Sequence, residues 1–140
     1  MNILIVVDNE DDAFFLSELI ESNHPEEKSI FHKSTLLEAS KALNCDKFDI
    51  VLIDLTLPDS FGIFNYLKLF QENADTPFIV LTGINDEYVG INAVKNGAQD
   101  FLVKGNFDEL LLNRSIQYSI ERKKTEVTLR RSERCYIYDQ

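Results

Sequence analysis

Residues 50–62 read Ile-Val-Leu-Ile-Asp-Leu-Thr-Leu-Pro-Asp-Ser-Phe-Gly. Four apolar residues run without a break into a carboxylate, Asp54, and a loop punctuated by Pro58 and Gly62 follows. A short continuous apolar run, as opposed to strict alternation, is what a strand buried on both faces requires, and parallel sheets covered by helices are built from such strands. Three further runs have the same character: Ile3–Val7, Phe78–Leu81 and Phe101–Val103. A weaker fifth, Ser29–Lys33, sets Ile30 and His32 against Phe31 and Lys33, which suits an edge strand with one exposed side.

Between these runs lie amphipathic segments. Asp11–Ser22 is expected to be a helix with Phe14, Phe15, Leu19 and Ile20 on its inner stripe. Ser34 is placed to cap a second helix, with Leu36, Leu37, Ser40 and Leu43 along it and Glu38 in its first turns. Helices over Phe61–Phe70 and Asp86–Lys95 follow, the latter stopped by Asn96-Gly97. Strand and helix thus alternate five times at a spacing of roughly 25 residues, the rhythm of parallel strands joined by right-handed crossovers. The expected architecture is an α/β fold with an open, doubly wound sheet.

The last helix differs. From Phe107 to about Arg134 there is neither Gly nor Pro. At 1.5 Å per residue this is about 40 Å of helix, against a radius of gyration near 14 Å for a domain of this size, so its end must project. Leu112, Ile116, Ile120 and Val127 give a partial apolar stripe that Lys123 and Lys124 interrupt, which makes it a weak coiled-coil candidate.

The 140 residues make one ordinary domain, and 44% apolar content excludes a mainly disordered chain. No apolar run approaches the roughly 18–20 residues that span a bilayer, and Ile3–Val7 lacks the basic flank of a signal peptide. A cytoplasmic location is expected. The net charge of −10 is uneven: residues 121–140 sum to +2 and the rest to −12. An acidic body argues against direct nucleic-acid binding. The basic residues Arg122, Lys123, Lys124, Arg130 and Arg131 alternate with acids and read as a solvated helix face. Cys45 and Cys135 have no ligand-type spacing and read as reduced thiols. His24 and His32 read as surface residues.

In an open parallel sheet, ligands bind beyond the carboxyl ends of the strands. Strand one ends in Asp8, strand three in Asp54, strand four in Thr82 and strand five in Lys104. Two carboxylates, a hydroxyl and an ammonium therefore converge. A carboxylate attacks phosphorus only when its repulsion from an anionic donor is cancelled. A hard divalent ion on oxygen ligands does this, and Mg²⁺ commonly takes one or two carboxylates. Lys104 would supply a compact charge and Thr82 a hydroxyl donor to phosphoryl oxygens. Catalysis of this kind is mainly positioning and charge stabilisation.

At this point the chain resembles the receiver domain of two-component response regulators. The resemblance rests on the acidic end of strand one, the D-x3-P-x3-G loop from Asp54 through Pro58 to Gly62, Thr82-Gly83 after an apolar strand, and Gly-Ala-Gln-Asp-Phe-Leu-Val-Lys at 97–104. It covers about residues 1–122, leaving 123–140 as a helical linker. It implies a (βα)5 flavodoxin-like sheet of order 2-1-3-4-5, with Asp54 phosphorylated by a histidine kinase or phosphotransfer protein. It also implies Mg²⁺ held by Asp8, Asp54 and the carbonyl of Thr56. The phosphoryl oxygens would meet Lys104, Thr82 and the backbone N–H groups of Thr56 and Gly83. Thr82 and Phe101 would form the switch pair, and Thr56 and Ile84 would influence phosphoryl lifetime. Any enzymatic output would lie outside the chain.

Two positions depart from the family pattern. The family has two adjacent acids where this chain has Val7-Asp8, so weaker Mg²⁺ binding is expected unless Glu10 or Asp11 reaches in. Gly105 stands where proline is common, often after a cis bond. A cis bond before a non-proline costs about 2.5–4 kcal/mol, so a trans Lys104–Gly105 bond, or a cis bond held by compensating contacts, is expected. The Lys-Gly pair and the stretches at 120–124 and 129–134 resemble receivers joined by helix to a further sensory or catalytic domain (PAS-like, kinase or cyclase), with 132–134 resembling a PAS entry. A weak homodimer through the last helix is expected. Two rivals remain: an interaction module that is never phosphorylated, favoured by Val7, and an enzyme on the same architecture. The second lacks a flavin-type phosphate loop after strand one and lacks a D-x-D pair at Asp8.

Overall fold

The computed structural model describes residues 1–22 and 28–138. In chain order the elements are β1 (Asn2–Val6), α1 (Glu10–Glu21), β2 (Ser29–Lys33), α2 (Leu36–Cys45), β3 (Ile50–Asp54), β4 (Thr56–Leu57), β5 (Ser60–Phe61), α3 (Ile63–Glu72), β6 (Phe78–Thr82), α4 (Glu87–Lys95), β7 (Asp100–Val103) and α5 (Glu109–Tyr138). Five strands form one parallel sheet in the order β2-β1-β3-β6-β7. Counted among themselves these strands run 2-1-3-4-5, as expected. The short pair β4–β5 is a separate antiparallel hairpin directly after Asp54.

Because successive strand residues point to opposite faces, the apolar runs feed two cores. Leu4, Val6, Val51, Ile53 and Val80 pack with α2, α3 and α4 through Leu36, Ala39, Tyr66, Leu69 and Ala93. Ile3, Ile5, Val7, Leu52, Ile79 and Leu81 pack with α1 and α5 through Ala13, Leu16, Ile20, Leu112 and Ile116. Each fully buried Val, Leu or Ile contributes about 1.5–3 kcal/mol. The edge strand β2 is half-exposed, as its alternation indicates.

Several sequence expectations are corrected. In α1 the buried residues are Ala13, Leu16 and Ile20, whereas Phe14 and Phe15 are 66% and 54% exposed. Ala13-Phe-Phe-Leu16 is apolar on all sides, and the face with the small Ala13 lets the helix approach the sheet. In α2 the cap is Thr35, not Ser34: its Oγ1 accepts from Glu38 N at 3.1 Å. That shift buries Leu36, Ala39 and Leu43 and leaves Leu37 outside. α3 begins at Ile63 because Phe61 pairs with Thr56 and Gly62 sits at φ 57°, a left-handed conformation that breaks the chain direction. α4 ends as read: Gly97 has φ 111° and Ala98 N donates back to Ala93 O at 3.1 Å. His32 is half-buried, with Nε2 2.7 Å from Val7 O, so it belongs to the edge of the sheet and not to the free surface. His24 lies outside the described residues. Cys45 is an exposed free thiol. No helix among the described residues is long and apolar enough to cross a membrane.

The 30 residues of α5 run unbroken past residue 122, about 45 Å. Leu112, Ile116 and Ile120 are buried, and the stripe continues into Lys123, which is only 5% exposed. The reading of Lys123 as part of a solvated face is therefore wrong. Its stem is covered, its Nζ lies 5.3 Å from the centre of the Phe70 ring, and it pairs with Glu126 Oε2 at 3.4 Å. Gln99 Nε2 donates to Glu126 Oε1 at 3.2 Å, and Arg130 pairs with Asp75. Beneath them Tyr66 is fully buried and its hydroxyl donates to Asn96 O at 3.1 Å; burial, then the Glu126 charge, push that hydroxyl's pKa up. A lysine that appears in sequence to break the apolar stripe thus clamps the helix where it leaves the domain.

Replacing Lys123 by Ala removes both packing and the cation–π contact, and is expected to cost about 1–2 kcal/mol in urea denaturation. Lys123→Met should recover most of that loss. A second expectation concerns Gly90 on α4. A Cβ there would lie 2.5 Å from Phe101 Cδ2 and 2.6 Å from Cγ. Helix propensity favours Ala over Gly by about 1 kcal/mol, but overpacking costs about 1–3 kcal/mol. Gly90→Ala should therefore destabilise the wild type, and cost clearly less in a Phe101→Ala background, where only the Cβ at 3.0 Å remains in its way; a double-mutant cycle reads that coupling.

Candidate functional site

The sheet registers bring the strand ends together. Asp54 is opposite Leu81 and Thr82 opposite Val103. Leu55 N donates to Leu81 O at 3.2 Å, and Lys104 N donates to Thr82 O at 2.8 Å, which seats Lys104 next to Thr82.

Asp54 is 1% exposed. A buried carboxylate is costly unless paired and hydrogen-bonded, and both conditions are met. Oδ2 forms an ion pair with Lys104 Nζ, while Oδ1 accepts from Thr56 N at 2.9 Å and Thr56 Oγ1 at 2.7 Å. Lys104 remains about one-third exposed, so the pair opens to solvent on the amine side. Thr82 is 2% exposed and its Oγ1 has no hydrogen-bond partner in the structure. A buried hydroxyl left unmatched costs free energy, and this one is free to donate. It borders a cavity of about 220 Å³ lined also by Thr56, Gly62, Gly83, Asp86 and Tyr88.

Asn65 was not singled out from sequence. It is fully buried on the first turn of α3, donates through Nδ2 to the carbonyl of Asp54 at 3.2 Å, and leaves its Oδ1 unpartnered. The available signal was a lone amide inside the apolar stretch Ile63-Phe-Asn-Tyr-Leu67.

Asp8 follows β1 and is exposed, whereas Val7 is fully buried in the α1/α5 core. Glu10 and Asp11 are exposed on the first turn of α1. Asp12 lines a second cavity, about 230 Å³, together with Val7, Phe15, Lys104, Gly105 and Phe107. Asp12, an acid not singled out from sequence, thus shares a cavity with Val7. Among the described residues no group of three or more His, Cys, Asp or Glu is arranged to hold a metal. No peptide bond among them is cis, so Lys104–Gly105 is trans, and Gly105 takes φ 81°. Phe101 on β7 is half-buried against Gly90.

The chain as a whole has counterparts among known proteins. The family model for the response regulator receiver domain matches residues 3–115. The response regulator ArlR of Staphylococcus haemolyticus is 34% identical over 104 residues, 74% of this chain and 45% of that protein. BasR of Escherichia coli, a transcriptional regulatory protein, is 32% identical over 107 residues, 74% of this chain and 46% of its own length. The chain spans less than half the length of either relative. The solution structure of the beryllofluoride-activated NtrC4 receiver domain dimer superposes with a TM-score of 0.76 at 27% identity, covering 87% of this chain and 98% of that one. A response regulator receiver domain protein from Clostridium thermocellum gives 0.76 at 25% identity, covering 89% and 97%. With the family model covering residues 3–115 and the sheet order in agreement, the chain belongs to the response regulator receiver family.

Proposed function

We propose that this receiver takes a phosphoryl group onto Asp54 from the phosphohistidine of a histidine kinase or phosphotransfer protein. The observation that carries this is the buried Thr82 hydroxyl without a partner beside the Asp54–Lys104 pair. In the transfer, a carboxylate oxygen of Asp54 forms the new O–P bond as the P–N bond breaks, and the departing imidazole takes up a proton from solvent. Lys104 turns its charge to a phosphoryl oxygen, Thr82 donates to another, and the N–H groups of Thr56 and Gly83 meet the rest. The chain is a phosphoacceptor and not an enzyme with a separate substrate.

Asp8, Asp54 and the carbonyl of Thr56 are hard oxygen donors of the kind that suits Mg²⁺, which needs only one or two carboxylates. Bound there, the ion would supply the positive charge that offsets repulsion between donor and acceptor. Val7 cannot hold a metal-bound water, so affinity is low. Thr56 and Ile84 tune how long the phosphoryl group survives. Inward movement of Thr82 frees space for Phe101 to repack, which changes the face around β7, α4 and α5.

Exposed Phe14, Leu37, Phe64, Tyr88 and Leu110 lie in the first two turns of five helices, at the same end as Asp54. That placement supports a protein donor. Residues 123–140 act as a linker toward an output domain (PAS-like, kinase or cyclase), helical over its described part to Tyr138, and α5 offers a weak homodimer contact. The acidic body argues for a protein partner and not nucleic acid, in the cytoplasm. Val7 favours a second reading, a receiver-like module that binds partners without being phosphorylated.

Intact-mass spectrometry after acetyl phosphate with Mg²⁺ separates the two. One added phosphoryl group is expected on wild type, none on Asp54→Asn, and none without Mg²⁺; an unmodified wild type, also silent to beryllium fluoride, favours the module. Val7→Asp is expected to tighten Mg²⁺ binding by about tenfold or more, the scale on which metal-water partners act. Sub-millimolar affinity in wild type, unchanged by Val7→Asp, would rule out the weak-metal reading.

A further inference from the structure

The hairpin β4–β5 carries Thr56, whose N–H and hydroxyl both grip Asp54 Oδ1. Two residues per strand make a marginal hairpin in water. Its own closure consists of the Thr56–Phe61 and Leu57–Ser60 pairing and a bond from Gly62 N to Leu55 O at 2.7 Å. At its turn, Asp59 reaches out of the hairpin to the start of α2. Oδ1 accepts from Leu36 N at 2.8 Å and Oδ2 from Leu37 N at 3.1 Å.

These two bonds complete the helix terminus. A helix leaves its first backbone N–H groups without intrahelical partners. Glu38 N is taken by Thr35 Oγ1 and Ala39 N by Thr35 O, so Asp59 supplies acceptors for the two that remain. A carboxylate suits the position doubly, since it offers two oxygens to two donors and its charge is favourable at the positive end of the helix dipole. The same arrangement directs the Asp59 charge at α2, away from the acceptor carboxylate a few residues earlier.

We propose that Asp59 is a positioning residue: by capping α2 from across the chain it latches the hairpin and so fixes the hold of Thr56 on Asp54. This rests on the phosphoacceptor reading above for its consequence in phosphoryl transfer, but not for the latch itself. The protonation behaviour is consistent with it. Burial pulls the Asp59 pKa upward most strongly, yet the N–H groups of Leu36, Leu37 and Asp59 and the charge of Lys68 outweigh that and hold it below the usual carboxylate value. A lowered folded pKa means a contribution fully present above the ordinary carboxylate range and lost as the pH falls through the folded value.

The test compares Asp59→Ala, Asp59→Asn and Thr35→Ala in the full chain. Thr35→Ala uncaps the same helix without touching the hairpin, so it separates helix stability from positioning. Hydrogen exchange read by mass spectrometry is expected to show lost protection at 55–62 together with the start of α2 in Asp59→Ala, an intermediate loss in Asp59→Asn, and loss at α2 alone in Thr35→Ala. Acetyl phosphate labelling with Mg²⁺ should slow roughly tenfold to a hundredfold in Asp59→Ala, the scale of a small misplacement, and be unchanged in Thr35→Ala. Unchanged protection at 55–62 in Asp59→Ala would overturn the latch, and identical labelling rates in Asp59→Ala and wild type would overturn the positioning role. A wild type that takes no phosphoryl group at all overturns both the phosphoacceptor reading and the positioning role, while the exchange data still decide the latch.

Discussion

The ion pair between Asp54 and Lys104 is the constraint on which the rest of the site depends. A carboxylate 1% exposed at the end of a central strand is tolerable only because an ammonium meets one oxygen and Thr56 meets the other. Each of those partners must be delivered by a different element. Lys104 arrives because β7 lies beside β6 in parallel register and Lys104 N is bonded to Thr82 O. Thr56 arrives because the chain turns at once into a short hairpin. Asn65 holds the backbone of Asp54 from below. The carboxylate is therefore fixed in place before any ligand is present, and the open features are the exposed part of Lys104 and the unmatched Thr82 hydroxyl.

The same sheet that builds the site also connects it to the far end of the domain. β7 carries Phe101 and is followed by Lys104, while at its start Asp100 accepts from Ser115 Oγ of α5 at 2.6 Å. Just before it, Gln99 bonds Glu126, the partner of Lys123. One strand thus leads to Asp54 at one end and to the departing helix at the other. Packed against its middle, Phe101 leaves no room for a side chain at position 90. This is a contiguous set of contacts that a shift of β7 would disturb together.

Sequence alone carried the fold a long way. Ile50–Asp54 and its sister runs specify buried parallel strands because their apolar residues are continuous, and the strand-end residues Asp54, Thr82 and Lys104 follow from where those runs stop. Gly97 marked a helix stop because its left-handed backbone favours glycine. The absence of Gly and Pro after Phe107 foretold the long α5. These are local properties, legible within a few residues.

What only the tertiary structure decided are the contacts between residues far apart in sequence. Phe14 and Phe15 look like core residues in a run of four apolar side chains, and only the approach of α1 to the sheet selects Ala13 and Leu16 instead. Lys123 looks solvated until Phe70, 53 positions earlier, is placed beneath it. Asp59 looks like an ordinary turn residue until α2 presents two unpaired N–H groups to it. Position and periodicity state which residue types are available at a strand end or on a helix face. Which of them is buried, paired or left waiting depends on desolvation and partner geometry, and those exist only once the elements have packed.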